Sequence, residues 1–307
     1  MKSLKRFLLW AMPMLVGGLL WGQGRLAVPE NVELIRDIPY AANDNPRQTL
    51  DLLLPKNRDK TKPLPVLAYI HGGAFRAGNK RAGHRHLFDY VASGQFAAVT
   101  IAYRLSGEAI WPAQIHDCKA GIRWIRGEAE RYDLNAAAIL VFGHSAGGHL
   151  SSMVGTTGNV ETLEGEVGPF LGYSSRVQAV CNYFGPSDFL QMDAHRLPNG
   201  LIHDAPDSPE SVLVGGAIQE HPGIVATANP ITYVSRDDPV FLHIHGEKDP
   251  LVPVHQSKIL HRALVEAGVA SQLYVVPEGG HGGFKDSKVP QLEKAFIEAF
   301  RLRVLGK

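Results

Sequence analysis

Apolar and polar positions alternate in two runs near the start of the chain, "VELIRDIPY" and "QTLDLLLP", with the turn-rich "AANDNPRQ" between them. Alternation at period two predicts strands, and the turn residues join them as a hairpin. The rhythm then changes. "PVLAYIHG", "FAAVTIAYR", "AAILVFG", "VQAVCNYFG", "PVFLHIHG" and "SQLYVVP" are short apolar runs bounded by Gly, Pro or polar residues, and they read as buried strands. Between them lie segments with helical spacing: "KRAGHRHLFDYVASG", "WPAQIHDCKAGIRWIRGEAERY", "SAGGHLSSMVGTT", "HQSKILHRALVEAG" and "VPQLEKAFIEAFRLRVL". In the second of these, Ile115, Cys118, Ile122 and Ile125 fall on one face. Strands alternating with helices predict βαβ units, a mostly parallel sheet and helices on both of its faces. The opening hairpin adds an antiparallel edge. Residues 186–239 break the alternation, being rich in Pro, Gly, Asp and His, with short helical pieces such as "SPESVLVGG". They read as an insertion over the C-terminal edge of the sheet, where open α/β sheets bind ligands.

Composition adds limits. The chain has 307 residues, is 45% hydrophobic and 20% charged, and carries a formal net charge of +1. That suits a globular domain with a sizeable core and gives no electrostatic case for nucleic acid. The first residues, "MKSLKRFLLWAMPMLVGGLLWGQG", place basic residues before an apolar run and small residues after it. This order predicts an export signal over 1–24, ending at Gly22-Gln23-Gly24, with one catalytic domain over 25–307 and a periplasmic or secreted product. The run is short for a span, and Pro13, Gly17 and Gly18 weaken it as a helix, so no stable membrane span is expected after cleavage. The two cysteines, Cys118 and Cys181, can pair as one disulfide in an exported protein or pack as two separate thiols. Sequence alone leaves the oligomeric state open.

The chemistry centres on "VFGHSAGGHL". Gly143-His144-Ser145-Ala146-Gly147 fits G-x-S-x-G with a strand before it and a helix after it. In that sharp turn only small neighbours fit, and the hydroxyl stands above the sheet at a helix N-terminus. A serine hydroxyl needs a base, and the base needs an orienting acid. Asp249, in "EKDPLVP", follows the strand "PVFLHIHG"; Glu247 is the rival carboxylate but lies closer to the strand. His281, in "EGGHGGF", follows the last strand with glycines on both sides. "YIHGGAF" follows the first central strand, and its tight loop His71-Gly72-Gly73-Ala74 can aim backbone N–H groups at one point, with the N–H of Ala146 as a further oxyanion donor. Trp111, Tyr183 and Phe184 are candidates for lining the acyl pocket. Fourteen histidines invite a check for metal. His243/His245 and His84/His86 are each spaced along one face, but neither pair has a third ligand nearby, so no metal is expected. There is no dinucleotide fingerprint or phosphate loop, and the chemistry needs no cofactor.

These motifs resemble those of α/β-hydrolases of the esterase/lipase class. "HGGAF" and "GHSAGG" are similar to the hormone-sensitive-lipase-like group, and the likeness extends over about 38–301. More specific is the resemblance to bacterial bifunctional feruloyl and acetyl xylan esterases, carried by "HGGAFRAGNKR", "GHSAGGHLSSMVG", "CNYFGPSDF", "DSPESVLVGG" and "HGEKDPLVPVHQS". It implies the α/β-hydrolase fold, with Ser145 as nucleophile, His281 as base and Asp249 as acid. Gly73, Ala74 and Ala146 would hold the oxyanion. It further implies short acyl or hydroxycinnamoyl esters, such as those of plant polysaccharides, as substrates. Two positions depart from the lipase-like pattern: Ala74 replaces a third Gly and His144 replaces an Asp. Ala74 still has its N–H. A likeness to arylformamidases keeps a formamide or other amide substrate open, and a non-catalytic binding protein on the same fold is the remaining alternative.

Overall fold

A computed structural model describes residues 27–158 and 160–306; the expected leader over 1–24 lies outside the described residues. Among the described residues eight strands form one sheet: β1 (Val32–Pro39), β2 (Thr49–Pro55), β3 (Leu64–Ile70), β4 (Ala97–Ile101), β5 (Leu134–His144), β6 (Ala179–Tyr183), β7 (Val240–Gly246) and β8 (Ser271–Val276). Their spatial order is β1-β2-β4-β3-β5-β6-β7-β8. β1 and β2 form the expected antiparallel hairpin, β2 runs antiparallel to β4, and every later pair is parallel.

The central strands β2, β3 and β4 are buried at every position, as expected of strands covered on both faces. Alternate residues supply two separate cores. Val66, Ala68 and Ile70 pack with α2 (Ala113–Gly127), α4 (Ala146–Thr156) and α7 (His255–Glu266). Leu67 and Tyr69 pack with α1 (His84–Ala92) and α8 (Lys288–Val304) on the other face. The helix predicted as one piece from Trp111 to Tyr132 ends at Gly127 and restarts as α3 (Ala129–Tyr132). Gly127 lies against the Phe170 ring with no room for a Cβ, and Glu128 leaves helical geometry at φ −103°, ψ 10°.

Residues 186–239 lie between β6 and β7 as short helical turns, with α5 (Pro209–Val214) and α6 (Pro222–Ala228) the longest. The Ser208 hydroxyl accepts from Ser211 N at 3.0 Å and caps α5, which accounts for the helical reading of "SPESVLVGG". The segment is tied over the C-terminal ends of the strands: Leu201 N donates to Pro250 O at 2.8 Å, and Arg76 donates to Ser208 O at 2.6 Å. No helix among the described residues is long and apolar enough to cross a membrane.

The disulfide alternative is corrected. Both cysteines are free and buried. Cys118 sits in the core of the α2/α4/α7 face and Cys181 in that of the α1/α8 face, so the sheet separates them. Dithiothreitol is therefore expected to leave the melting temperature unchanged, within about 1 °C; a drop of about 5 °C or more, the scale of a lost disulfide, would contradict the two-thiol arrangement.

Candidate active site

β5 runs into α4 through Ser145, whose backbone takes φ 56°, ψ −122°, a conformation rarely tolerated by a residue with a side chain. Three contacts hold it there. Ser145 N donates to Tyr183 O at the end of β6 at 2.9 Å, and Ser145 O accepts from His149 N at 2.9 Å. Gly147 packs directly on the end of β3, where an added Cβ would run into Ile70 O. Gly72 makes the reciprocal approach, since a Cβ there would stand 2.5 Å from His144 O. The glycines around the serine thus let the end of β3 and the turn after β5 touch.

Asp249 and His281, the expected acid and base, are brought together by the loops after β7 and β8. Glu247 N donates to Val276 O at 2.9 Å and Lys248 N to Gly279 O at 2.8 Å, which zips the two loops. His281 Nδ1 then lies 2.7 Å from Asp249 Oδ2. Leu251 N and Val252 N donate to Asp249 Oδ1 at 2.8 and 2.9 Å. His245 Nε2 stands 3.3 Å from Asp249 Oδ2 and 2.8 Å from Val252 O. Burial pushes the Asp249 carboxyl pKa up, but the hydrogen bonds and electrostatic interactions it makes with His245 and His281 outweigh it, and the net is well below the ordinary 3.8. A depressed folded pKa means the carboxylate adds stability above about pH 4 and loses it only as pH falls further. Glu247, the rival carboxylate, is exposed and accepts from Glu278 N at 3.2 Å.

The serine and histidine loops meet at the ends of β6 and β7. Phe184 follows Tyr183, donates its N–H to Ile244 O at 2.9 Å, and sets its ring 4.5 Å from that of His281. Among the described residues the Ser145 side chain makes no capping hydrogen bond to α4; in free enzymes the serine–histidine contact is often long and tightens when substrate is seated. On the other side stands the loop after β3, with Gly73 at φ 122° and Ala74 at φ 54°. Gly73 O accepts from Ala77 N at 2.9 Å and Arg76 N at 3.0 Å. Among the described residues the N–H groups of Gly73, Ala74 and Ala146 donate to no acceptor, which leaves them for a ligand oxygen. Gly72 serves the approach to the turn, and its carbonyl pairs with His71 Nδ1 at 2.8 Å.

The pocket candidates divide. Phe184 backs the His281 ring. Trp111 is buried, donates Nε1–H to Thr227 Oγ1 at 3.0 Å, and lies 6.4 Å from the His149 ring of α4. Tyr183 is turned to the α1/α8 face, where its hydroxyl donates to Glu293 of α8 and its ring stacks on His144 at 4.5 Å. Tyr183 therefore contributes its carbonyl to the serine turn and its side chain to the core beneath. The histidine pairs also divide. His84 bonds Asp51 at 2.9 Å, while His86 stacks on His144 at 4.9 Å. Burial, with the fields of His86 and His281, holds His144 down to about 3, so it is neutral. His243 is buried beneath α7, and His245 supports Asp249. In the sequence His245 reads only as half of a metal-ligand pair; its position four residues before Asp249 is the signal for its supporting role. Among the described residues no cluster of three His, Cys, Asp or Glu is placed to hold a metal.

A concavity of about 680 Å³ lies at the opposite end of the strands between Arg176, Asp238, Gln272 and Phe300, and no triad candidate lines it.

Comparison with known proteins bears on this arrangement. The BD-FAE family matches residues 50–264. Esterase LipC of Mycobacterium tuberculosis is 32% identical over 240 residues, covering 78% of this chain and 58% of LipC. A truncated carbohydrate esterase from gut microbiota is 34% identical with a TM-score of 0.79, covering 87% of this chain and 96% of that one. A bifunctional GH43-CE of Bacteroides eggerthii is 37% identical with a TM-score of 0.78, covering 86% of this chain and 38% of that one. The chain spans about half the length of three curated relatives from Mycobacterium tuberculosis, LipC among them, between 47% and 58%.

Proposed function

The chain belongs to the BD-FAE family, and from that premise we propose that it is a serine esterase acting through Ser145, His281 and Asp249. The observation that carries the reading is the 2.7 Å Asp249–His281 pair, whose His281 ring packs on Phe184 next to the Tyr183 carbonyl that holds Ser145 at φ 56° on the N-terminus of α4. With Nδ1–H donated to Asp249, the other ring nitrogen of His281 is free to take the Ser145 proton as Oγ attacks the ester carbonyl. The N–H groups of Gly73, Ala74 and Ala146 receive the oxyanion, each worth about 3 kcal/mol in the transition state. His281 returns the proton to the leaving alcohol, and water, activated the same way, cleaves the acyl-enzyme.

Substrate and location follow by analogy. Carbohydrate-esterase relatives support a sugar-bound ester, and the sequence resemblance supports short acyl or hydroxycinnamoyl groups on plant polysaccharides. The basic-then-apolar order of 1–24 supports export. Hydrolysis of p-nitrophenyl acetate, butyrate and octanoate and of methyl ferulate tests the reading, with fluorophosphonate labelling alongside. Turnover of acetate and ferulate at least about tenfold above octanoate, with Ser145 labelled, is expected. Labelling without ester turnover would move the assignment to amides or formamides. No labelling and no turnover would point to a binding protein on a hydrolase fold.

A further inference from the structure

A second buried histidine, outside the triad, is wired to its acid. His203 lies in the segment over the sheet edge, with its side chain 1% exposed. Its Nδ1 is 2.9 Å from Glu210 Oε2 of α5, and its Nε2 is 2.9 Å from Leu251 O in the acid loop. A carboxylate and a carbonyl only accept, so both ring nitrogens must carry protons, or Nδ1 must share one with Glu210. In either arrangement Nε2–H donates to Leu251 O. That carbonyl belongs to the same peptide unit as Val252 N–H, which donates to Asp249 Oδ1 at 2.9 Å. Withdrawing density at the carbonyl makes the N–H a stronger donor. The line runs from Glu210 through His203 and the 251–252 peptide to Asp249 and His281.

We infer that His203 is a positioning residue for the reaction: it fixes the peptide that holds Asp249 and so sets the angle at which Asp249 meets His281. The inference rests on the triad reading. Three groups face the His203 ring: Glu210 from α5, the Leu251 carbonyl from the acid loop, and Asp193 from the turn at 193–195. Asp193 also pins the backbone, accepting from His203 N at 2.8 Å and Asp204 N at 2.9 Å. Burial opposes the charged ring, but Glu210 first, then Asp193 and Leu251 O, outweigh it and raise its pKa above the ordinary 6.5. The link is therefore complete at low and neutral pH. It opens as pH rises through the raised value, because the one remaining ring proton goes to Glu210 and leaves a lone pair facing Leu251 O.

The test is kcat and KM on p-nitrophenyl acetate from about pH 6 to about pH 10 for wild type, His203→Phe, His203→Gln and Glu210→Gln, with Asp249→Asn beside them. Wild-type kcat should fall on the alkaline side as His203 loses its proton. His203→Phe should lower kcat about tenfold at neutral pH with KM within about twofold, since misplacing a reacting group costs turnover more than binding. His203→Gln keeps a donor for Leu251 O; it should recover at least about threefold of that loss and abolish the alkaline fall. Glu210→Gln removes the charge that holds the proton and should move the fall down by about one pH unit. Wild-type kcat and an unmoved profile in the His203 and Glu210 variants, with Asp249→Asn inactive, would overturn the inference and leave the triad standing. Full activity in Asp249→Asn would overturn both. Should His203→Phe not fold, the near-isosteric Glu210→Gln decides by its pH shift alone.

Discussion

Ser145→Ala is expected to lower kcat on p-nitrophenyl acetate by about 10⁶-fold, or about 8 kcal/mol of barrier, while leaving KM within a fewfold. The substitution removes one oxygen and disturbs little else. Ser145 is held by its own N–H on Tyr183 O and its own carbonyl on His149 N, and neither involves the hydroxyl. The φ 56° backbone is equally strained with alanine, so the melting temperature should match wild type within about 2 °C. Steady-state kinetics on the purified variant, with thermal unfolding beside it, make the check. A variant retaining even a tenth of wild-type kcat would remove Ser145 from the chemistry. Loss of activity together with loss of folding would instead mean that the serine turn needs its hydroxyl.

Asp249→Asn is the next largest effect, a loss of about 10⁴-fold in kcat. Asparagine keeps the shape but turns one acceptor into a donor. Oδ1 accepts from Leu251 N and Val252 N, so the amide oxygen will stay on that side and the NH₂ will face His281 Nδ1 and His245. His281 must then present its Nδ1 lone pair to the amide, which puts the ring proton on Nε2, where the Ser145 proton should go. The carboxylate is strongly favoured in the wild type, so its removal also costs stability at neutral pH; below about pH 4 the gap between the proteins should narrow, because the unfolded wild-type chain takes up the proton while the folded carboxylate still resists it. Melting curves from about pH 3 to about pH 7 check this sign, and a gap that widens on acidification would contradict it.

Much of this site was legible in the sequence because its signals are local. The turn after β5 needs small residues within two positions of Ser145, and the chain supplies Gly143, Ala146 and Gly147 there. Asp249 and His281 each follow an apolar strand run, and order along the chain becomes adjacency because β7 and β8 are neighbours in the sheet. Other features depended on direction or distance, which no local pattern carries. Tyr183 follows the strand alternation to the α1/α8 face, so its side chain leaves the pocket to which proximity to the site had assigned it. The two cysteines look pairable until the sheet is placed between them. His203 reaches Leu251 across 48 residues, and its importance exists only in the contact. The break at Gly127 likewise depends on Phe170, a ring 43 positions further along the chain, counting from 127 to 170.

The separation of Cys118 from Cys181 has a use in following how the molecule opens. Each thiol is sealed in one helical layer, and burial pushes both well above the ordinary range for a cysteine. Alkylation of either can proceed only when its own layer detaches from the sheet. The unaltered chain therefore carries one reporter per layer. Matching labelling rates would mean that the layers come away in a single cooperative event; unequal rates would identify which side of the sheet lets go first, and whether it is the side that carries α4.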